Sequence, residues 1–171
     1  MIFRKSLVSM GALLLSLTAS AEMAERVVGV NETVLLTDLE LTLPAKLDTG
    51  AMTSSLSAQN IETFQREGEE WVRFELAVDG EHDGRELEKA VVRTVNIRRR
   101  AEDVTEGDQY ASRPVVKMEL CLGEETRVVE VNLTDRSAFD YPLLIGTTAL
   151  KAFDAMVDPA LSNEAGVPSC S

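Results

Sequence analysis

The sequence predicts a mostly β fold, a single closed or sandwich-like β domain with one short helix near its C-terminal end. Short segments in which apolar and polar residues alternate recur along the chain, and a period of two is typical of strands with one buried face. Only the stretch that follows Gly146 has the character of a helix. A length of 171 residues without an internal repeat indicates one domain.

Seven segments are predicted as strands, in the chain order 26–30, 33–36, 41–48, 72–78, 90–97, 116–122 and 129–133. The last two flank a turn at residues 123–125, so residues 114–133 are predicted to form a hairpin. The helix is predicted over residues 147–156 and ends before Pro159, because the residue before a proline disfavours the helical region. The tail from residue 161 onward is expected to be flexible.

The N-terminal residues have the pattern of a secretory signal peptide. Arg4 and Lys5 precede an apolar stretch from Leu7 to Thr18, and the small residues 19–21 form a cleavage site. This stretch is too short to span a bilayer, which favours a cleaved signal peptide. The alternative is that it remains uncleaved as a membrane anchor. We therefore expect a periplasmic or secreted protein with no membrane span after cleavage. The expected division of the chain is a signal peptide over 1–21, a domain over 22–160 and a tail over 161–171.

Composition argues against several functions. The chain has 17 basic and 29 acidic residues and a net charge of −12, whereas nucleic-acid binding requires a basic face. The single histidine, His82, and two cysteines are too few for an ordinary zinc site, and no phosphate-binding loop for ATP is present. We therefore expect no metal and no cofactor. Cys121 and Cys170 either pair in an oxidising compartment or remain two free thiols.

The candidate chemistry lies in Asp48-Thr49-Gly50, which follows an apolar run. An aspartic peptidase presents its catalytic carboxylate in this triplet. Thr49 supplies a hydroxyl that can brace a neighbouring loop, and Gly50 lets its N–H approach the carboxylate of Asp48. The small Ala51 leaves room for substrate. The alternative is an ordinary turn, since Asp and Gly are common turn residues.

A second element supports the catalytic interpretation. Residues 143–146, Leu-Leu-Ile-Gly, provide the apolar-apolar-Gly sequence that such a site needs beneath it. Aspartic peptidases hold two carboxylates that share one proton; the charged one activates a water and the neutral one polarises the scissile carbonyl. Because each element occurs once, this chain carries half of such a site.

Three strings of residues, 46–56, 131–136 and 141–146, resemble the bacterial retropepsin-like aspartic peptidase family. Members of that family are often labelled ATP-dependent zinc proteases and are found near ATP-grasp glutamate ligases. The resemblance covers roughly residues 26–160. It implies a retropepsin-like closed β domain, the half-barrel of acid proteases, and a homodimer in which each subunit contributes one Asp48 to act on a peptide or protein substrate.

The resemblance also implies roles for residues outside the triplet. A flap is expected near residues 95–112 with Gly107 at its tip, unless this segment is an ordinary surface loop. Ile145 and Gly146 are expected to contact substrate, with Leu144 supporting them. The basic run 98–100 either attracts an acidic substrate or is a solvated strand end.

The sequence departs from the retroviral pattern at the dimer interface. The charged residues that brace retroviral dimers are replaced by Met52 and by Thr147-Thr148. Asp135 and Arg136 are candidates for that bracing role, and a local ion pair at a strand end is the alternative.

The expected function is an exported, homodimeric aspartic endopeptidase. The alternative is a catalytically silent peptide-binding or regulatory module of the same fold, because a fold does not guarantee an activity. A glycosidase that uses Asp48 with another acid has less support, since no paired-carboxylate signature accompanies it.

Overall fold

The computed structural model describes residues 26–80, 82–98 and 109–170. These residues form ten strands, a short α-helix and one turn of 3-10 helix. The elements are β1 (Arg26–Leu36), the 3-10 turn (Thr37–Leu39), β2 (Leu41–Leu47), β3 (Ser54–Arg66), β4 (Glu69–Leu76), β5 (Glu86–Ala90), β6 (Arg93–Arg98), β7 (Tyr110–Leu122), β8 (Glu125–Thr134), β9 (Leu143–Ile145), α1 (Thr147–Ala152) and β10 (Ala155–Ser162). The predicted mostly β fold with a single short helix is confirmed.

No helix in this part of the chain is long and apolar enough to cross a membrane. The predicted signal peptide lies outside the described residues.

Six strands close into a barrel in the order β1-β2-β9-β3-β8-β7. Closure depends on β1, because Leu36 pairs with Leu41 of β2 on one side and with Leu120 of β7 on the other. β10 lies parallel to the first part of β1, and β6 extends the sheet beyond β7. β4 and β5 extend the far half of β3 as an antiparallel three-stranded sheet.

Strand β2 shows how the barrel is filled and where the candidate site begins. Leu41, Leu43, Ala45 and Leu47 are buried, and the residues between them are exposed. This alternation places every second side chain in the core, where a fully buried leucine contributes about 1.5–3 kcal/mol. Because Leu47 is the last buried residue of β2, the chain leaves the barrel at Asp48.

Strand β3 is the main element that the sequence did not predict. Its first five residues, Ser54–Ala58, are all buried, so no alternation between buried and exposed positions marks them. Three of these five residues are serines, which are more common on surfaces and in turns than in cores. A strand buried on both faces has no period-two pattern, and polar residues there hide it further.

Two strand boundaries also differ from the prediction. Residues 26–36 form one continuous strand, β1, rather than two. The strand predicted over 90–97 is interrupted between β5 and β6, because the N–H of Val91 donates to β4 while the N–H of Val92 donates to β7. The predicted hairpin over 114–133 is present as β7 and β8.

The predicted helix over 147–156 is wrong beyond Ala152. Asp154 adopts a φ of 48°, in the left-handed region, and the chain then continues as β10 beside β1. Phe153, at the end of the helix, is buried in the core and fixes the position of this turn. An edge strand tolerates a proline, so Pro159 lies within β10 rather than after a helix.

The expectation of a flexible tail is wrong for residues 161–170. After β10, the buried carboxylate of Glu32 accepts hydrogen bonds from the N–H groups of Glu164 (3.0 Å) and Ala165 (3.1 Å). Cys170 then forms a disulfide with Cys121, and the two Cα atoms are 6.1 Å apart. The disulfide is one of the two alternatives considered from the sequence, whereas the contacts with Glu32 were not predicted, because Glu32 lies 132 positions before Glu164.

Candidate active site

Asp48 begins a tight loop between β2 and β3, residues 48–53, which we call the Asp48 loop. Its backbone N–H donates to the carbonyl oxygen of Ile145 (2.9 Å) and so fixes the loop to β9, the parallel neighbour of β2. The N–H of Gly50 donates to Asp48 Oδ1 (2.8 Å), the contact that the Asp-Thr-Gly motif predicts. Asp48 is half-buried, whereas Thr49 and Gly50 are exposed. The loop therefore presents one carboxylate at an open face.

Gly146 lies directly beneath the Asp48 loop. A Cβ atom at this position would lie 2.8 Å from the backbone carbon of Thr53 and 2.9 Å from the carbonyl oxygen of Met52, so only glycine fits without moving the loop. The first helical residues add two hydrogen bonds, from Thr147 N–H to Ala51 O (2.8 Å) and from Thr148 N–H to Met52 O (3.1 Å). The apolar-apolar-Gly element thus holds the loop from below.

The structure assigns Ile145 and Gly146 a supporting position rather than the substrate contact expected from the sequence. Ile145 is only 1% exposed, and Gly146 is buried against the Asp48 loop. Leu144 is half-buried and pairs with Lys46 of β2 and Ser55 of β3, consistent with its predicted supporting role. Neither residue is accessible to a substrate in this subunit, because Ile145 lies in the hydrophobic core and the Asp48 loop covers Gly146.

A buried polar network continues from the Asp48 loop into the barrel. Ser54 Oγ accepts a hydrogen bond from the N–H of Gly146 (3.1 Å), and Asn132 Nδ2 donates to the carbonyl oxygen of Ser54 (2.7 Å). Ser55 Oγ donates to Asn132 Oδ1 (3.1 Å). All three side chains are buried, so losing one member leaves its partners unsatisfied. The sequence placed these residues inside recognisable strings but gave no sign that they contact each other.

The predicted flap corresponds to the β6–β7 hairpin. Its two arms pair from Arg93 with Val115 out to Arg98 with Tyr110. Gly107, predicted at the flap tip, and residues 99 and 100 of the basic run lie outside the described residues.

Two arginines place positive charge beside the Asp48 loop. Arg136 is only 6% exposed; its Nε donates to the carbonyl oxygen of Tyr141 (3.0 Å), and its guanidinium lies over the ring of Phe139. Burial and then the positive charge of Arg113 lower the pKa of Arg136, while the negative charge of Asp48 opposes this shift. Arg113 Nη1 also approaches Asn132 Oδ1 (3.4 Å). Arg136 is therefore a buried cation that interacts electrostatically with Asp48.

Asp135 and Arg136 do not form the local ion pair considered as an alternative. Asp135 Oδ1 accepts a hydrogen bond from the N–H of Ser137 (2.8 Å), and hydrogen bonds from Ser137 lower the pKa of Asp135. The ion pairs found among the described residues do not include one between these two side chains. The buried guanidinium of Arg136 points to its own acceptor, Tyr141 O, instead.

The outer surface of the Asp48 loop is uncharged apart from Asp48. Met52, four positions after Asp48, has 75% of its surface exposed. Within the described residues the hydroxyl of Thr49 makes no hydrogen bond, so the brace predicted for it is not formed inside one chain. A half-buried carboxylate on an open, neutral surface is suited to act on a water molecule as a general base, provided that a second acid is brought close.

Comparison with known proteins identifies a family, although the family model and the curated relatives carry different names. A family model described as retropepsin-like aspartic endopeptidase RimB matches residues 27–166. Two curated relatives, from Desulfotalea psychrophila and Parasynechococcus marenigrum, are each named probable alpha-L-glutamate ligase and are 34% and 35% identical. The matches cover 83% and 82% of this chain but only 30% and 29% of the relatives, so the chain spans less than a third of their length.

One solved structure also resembles this chain closely. Protein Lpg0085 from Legionella pneumophila, described as having unknown function, is 35% identical with a TM-score of 0.67. The match covers 83% of this chain and 99% of that protein, so the whole Legionella domain shares the barrel described above.

Proposed function

We infer that this chain, which belongs to the RimB-like family of retropepsin-like aspartic endopeptidases, hydrolyses peptide bonds with two Asp48 carboxylates, one from each subunit of a homodimer. One observation carries the proposal. Asp48 leaves the barrel at the end of β2, accepts the N–H of Gly50 (2.8 Å) and is supported from below by Gly146. This arrangement holds a carboxylate in one orientation at an open face, as a peptidase of this kind requires.

The proposed chemistry needs one charged and one neutral carboxyl group. The ionised Asp48 accepts a proton from a water molecule, whose oxygen attacks the carbonyl carbon of the scissile peptide bond. Asp48 of the partner subunit, which is protonated, donates a hydrogen bond to the carbonyl oxygen and stabilises the tetrahedral intermediate. The C–N bond then breaks, and a proton from the dyad passes to the leaving amine. No net change in the protonation of the dyad remains.

The single carboxylate supports the homodimer in this proposal. The chain carries one Asp-Thr-Gly triplet, and the exposed residues around it, Thr49, Gly50 and Met52, are uncharged. Two subunits of net charge −12 repel each other, so a neutral contact surface costs less electrostatic energy than a charged one. The same arrangement would place the two Asp48 side chains face to face.

We further propose that the substrate is an acidic, glutamate-rich peptide. Arg113 and Arg136 lie close enough to interact electrostatically with each other, and Arg136 also interacts with Asp48. Because Arg136 is buried and donates to Tyr141 O, it contributes positive charge near Asp48 rather than a direct bond to substrate, and such charge attracts acidic peptides. Two curated relatives are named probable alpha-L-glutamate ligase, and this name supports the choice of glutamate.

Export is also part of the proposal. The N-terminal pattern of Arg4, Lys5 and the apolar stretch that follows is typical of a signal peptide. The disulfide between Cys121 and Cys170 is a feature of proteins in oxidising compartments and supports this localisation. Cell fractionation with N-terminal sequencing of the mature protein tests it; recovery of an intact N terminus in the cytosol would argue against export.

The decisive experiment uses the purified mature protein and a peptide library at acidic to neutral pH. We expect cleavage, with a preference for peptides rich in glutamate over matched peptides rich in lysine. Asp48→Asn should abolish cleavage, because the amide cannot take a proton from water, while circular dichroism remains unchanged. Undiminished cleavage by the folded Asp48→Asn protein would refute the proposal.

A catalytically silent peptide-binding or regulatory module is the second candidate. The curated relatives are named for ligation, and the segment that matches this chain fills less than a third of each. In such proteins a domain of this fold would bind a peptide without cleaving it. Saturable binding of intact peptides by the wild-type protein, equal in Asp48→Asn and without products, would favour this candidate.

A further inference from the structure

A single guanidinium connects the Asp48 loop to the β6–β7 hairpin. Arg93 is the first residue of β6, at the base of the hairpin. Its Nη2 donates to Oγ1 of Thr53 in the Asp48 loop (3.1 Å), and its Nε donates to Oε2 of Glu130 on β8 (2.7 Å). One side chain therefore contacts the hairpin, the barrel and the loop that carries the catalytic residue.

The surroundings fix Arg93 at a defined place. The N–H of Val92 donates to Val115 O (2.9 Å), and Arg93 itself pairs with Val115 across the hairpin. The planar guanidinium group has donors in a rigid fork, so the bond to Glu130 also sets the direction of the bond to Thr53. The backbone at the start of β6 and the orientation of the charged group are thus both determined.

Thr53 is well placed to pass this orientation to Asp48. The next residue, Ser54, is buried and held by Gly146 and Asn132. At the other end, the N–H of Asp48 is held by β9. Between these two fixed points, the Thr53 hydroxyl is where the Asp48 loop meets the hairpin through a side chain.

We propose that Arg93 is a positioning residue that sets the Asp48 loop through Thr53, so that the geometry of Asp48 depends on the position of the β6–β7 hairpin. The kinetic part of this inference rests on the proposed function. The structural part does not, because the order of the loop can be measured without substrate. A small displacement of a catalytic group is enough to slow an enzyme strongly.

The test compares Arg93→Gln, Thr53→Val and the double variant with wild type. Arg73→Gln is the matched control: Arg73 is also an exposed arginine bonded to a glutamate on another strand, Glu88 (2.8 Å), with 45% side-chain exposure against 42% for Arg93. Arg73 lies on β4 and makes no contact with the Asp48 loop among its described hydrogen bonds. Two measurements are made, peptide cleavage kinetics and hydrogen exchange of the segment 48–55.

We expect either single substitution to lower kcat about tenfold with little change in KM, since binding is kept and alignment is lost. The kcat of the double variant should be no lower than that of the slower single variant, because both substitutions remove the same contact. Arg93→Lys should recover part of the rate. Hydrogen exchange in segment 48–55 should accelerate in both single variants, while their melting temperatures stay close to that of wild type. The Arg73→Gln control should match wild type in both exchange and kcat.

Each other outcome has a definite meaning. Unchanged exchange and kcat in Arg93→Gln, or fully additive losses in the double variant, would overturn the proposal. A wild-type protein that cleaves no peptide, but whose loop exchange still responds to Arg93→Gln and Thr53→Val, would refute the proposed function and uphold the positioning role. If Arg73→Gln changed kcat and loop exchange as much as Arg93→Gln, the cause would be a general loss of positive charge, and the positioning role would be overturned.

Discussion

Two glycines shape the surroundings of Asp48 in different ways. Gly50 gives its N–H to the carboxylate and lies on the exposed side of the loop. Gly146 leaves room for the Asp48 loop, because the backbone of residues 51–53 occupies the place that a side chain at position 146 would take. The Asp-Thr-Gly and Leu-Leu-Ile-Gly sequences predicted both positions, since each role depends on a local backbone requirement that a short motif records.

Gly146→Ala should therefore damage both stability and activity. The added Cβ would lie 2.8 Å from a backbone carbon, and an overpacked site of this kind costs about 1–3 kcal/mol. Urea unfolding and peptide cleavage measure the two effects. Gly68→Ala is the control for cleavage only, because its Cβ meets open space far from the site, whereas its φ of +86° also strains an alanine there. Equal cleavage rates in both variants would contradict this role for Gly146.

Asp135 provides a pH-dependent contribution to stability. Hydrogen bonds from Ser137 lower the pKa of Asp135 in the folded protein. The charged carboxylate thus stabilises the fold above the pKa of the unfolded chain, and this contribution is lost as the pH falls through the folded value. Asp135→Asn should lower the urea midpoint near neutral pH and converge with wild type in acid. A constant difference across pH would contradict this assignment.

Other site residues were beyond the reach of sequence reasoning. Arg93 contacts a residue 40 positions away, and Asn132 contacts one 78 positions away. Arg136 appeared in a recognisable string, but its burial and its electrostatic interaction with Asp48 are properties of the folded barrel. Short motifs carry information about neighbours in sequence, whereas these contacts exist only after strands from distant segments have paired.

At the scale of elements, strands with one buried face were predictable and the others were not. Strand β2 alternates strictly between buried and exposed residues, and the sequence revealed it. The first part of β3 is buried throughout and contains serines, so its pattern is absent. The first two residues of β10, 155 and 156, were predicted as the end of the helix, because the left-handed residue Asp154 has no sequence signature that outweighs the helix-favouring residues before it.

The disulfide gives a prediction at this scale. It closes a segment with a sequence separation of 49 and attaches the tail to the end of β7. Cys170→Ser should lower the free energy of unfolding by about 2–4 kcal/mol, mainly because the unfolded chain gains freedom. Cys121 would remain buried as a small apolar side chain. Wild type under reducing conditions should match the variant in urea unfolding, and a stable reduced protein would count against this estimate.

At the scale of the whole molecule, activity should depend on assembly. Each chain supplies one Asp48, so a monomer holds half of the proposed site. Specific activity should fall on dilution as dimers dissociate, and the fall should coincide with a loss of dimer in sedimentation experiments. Specific activity that is independent of concentration down to fully monomeric protein would contradict a shared dyad.

Strand β1 has a consequence for when the molecule can form during its synthesis. It is the first described strand, yet its partners are β2, β7 and β10, and Arg26 pairs with Ala155 near the other end of the chain. A growing chain on the ribosome therefore cannot complete the barrel until β9 has emerged, and β1 cannot pair with β10 until residues 155–162 have followed. Pairings between distant segments also fold slowly. A late pairing of β1 with β10 is compatible with the proposed export, because a chain must be unfolded to pass through a membrane channel as a thread.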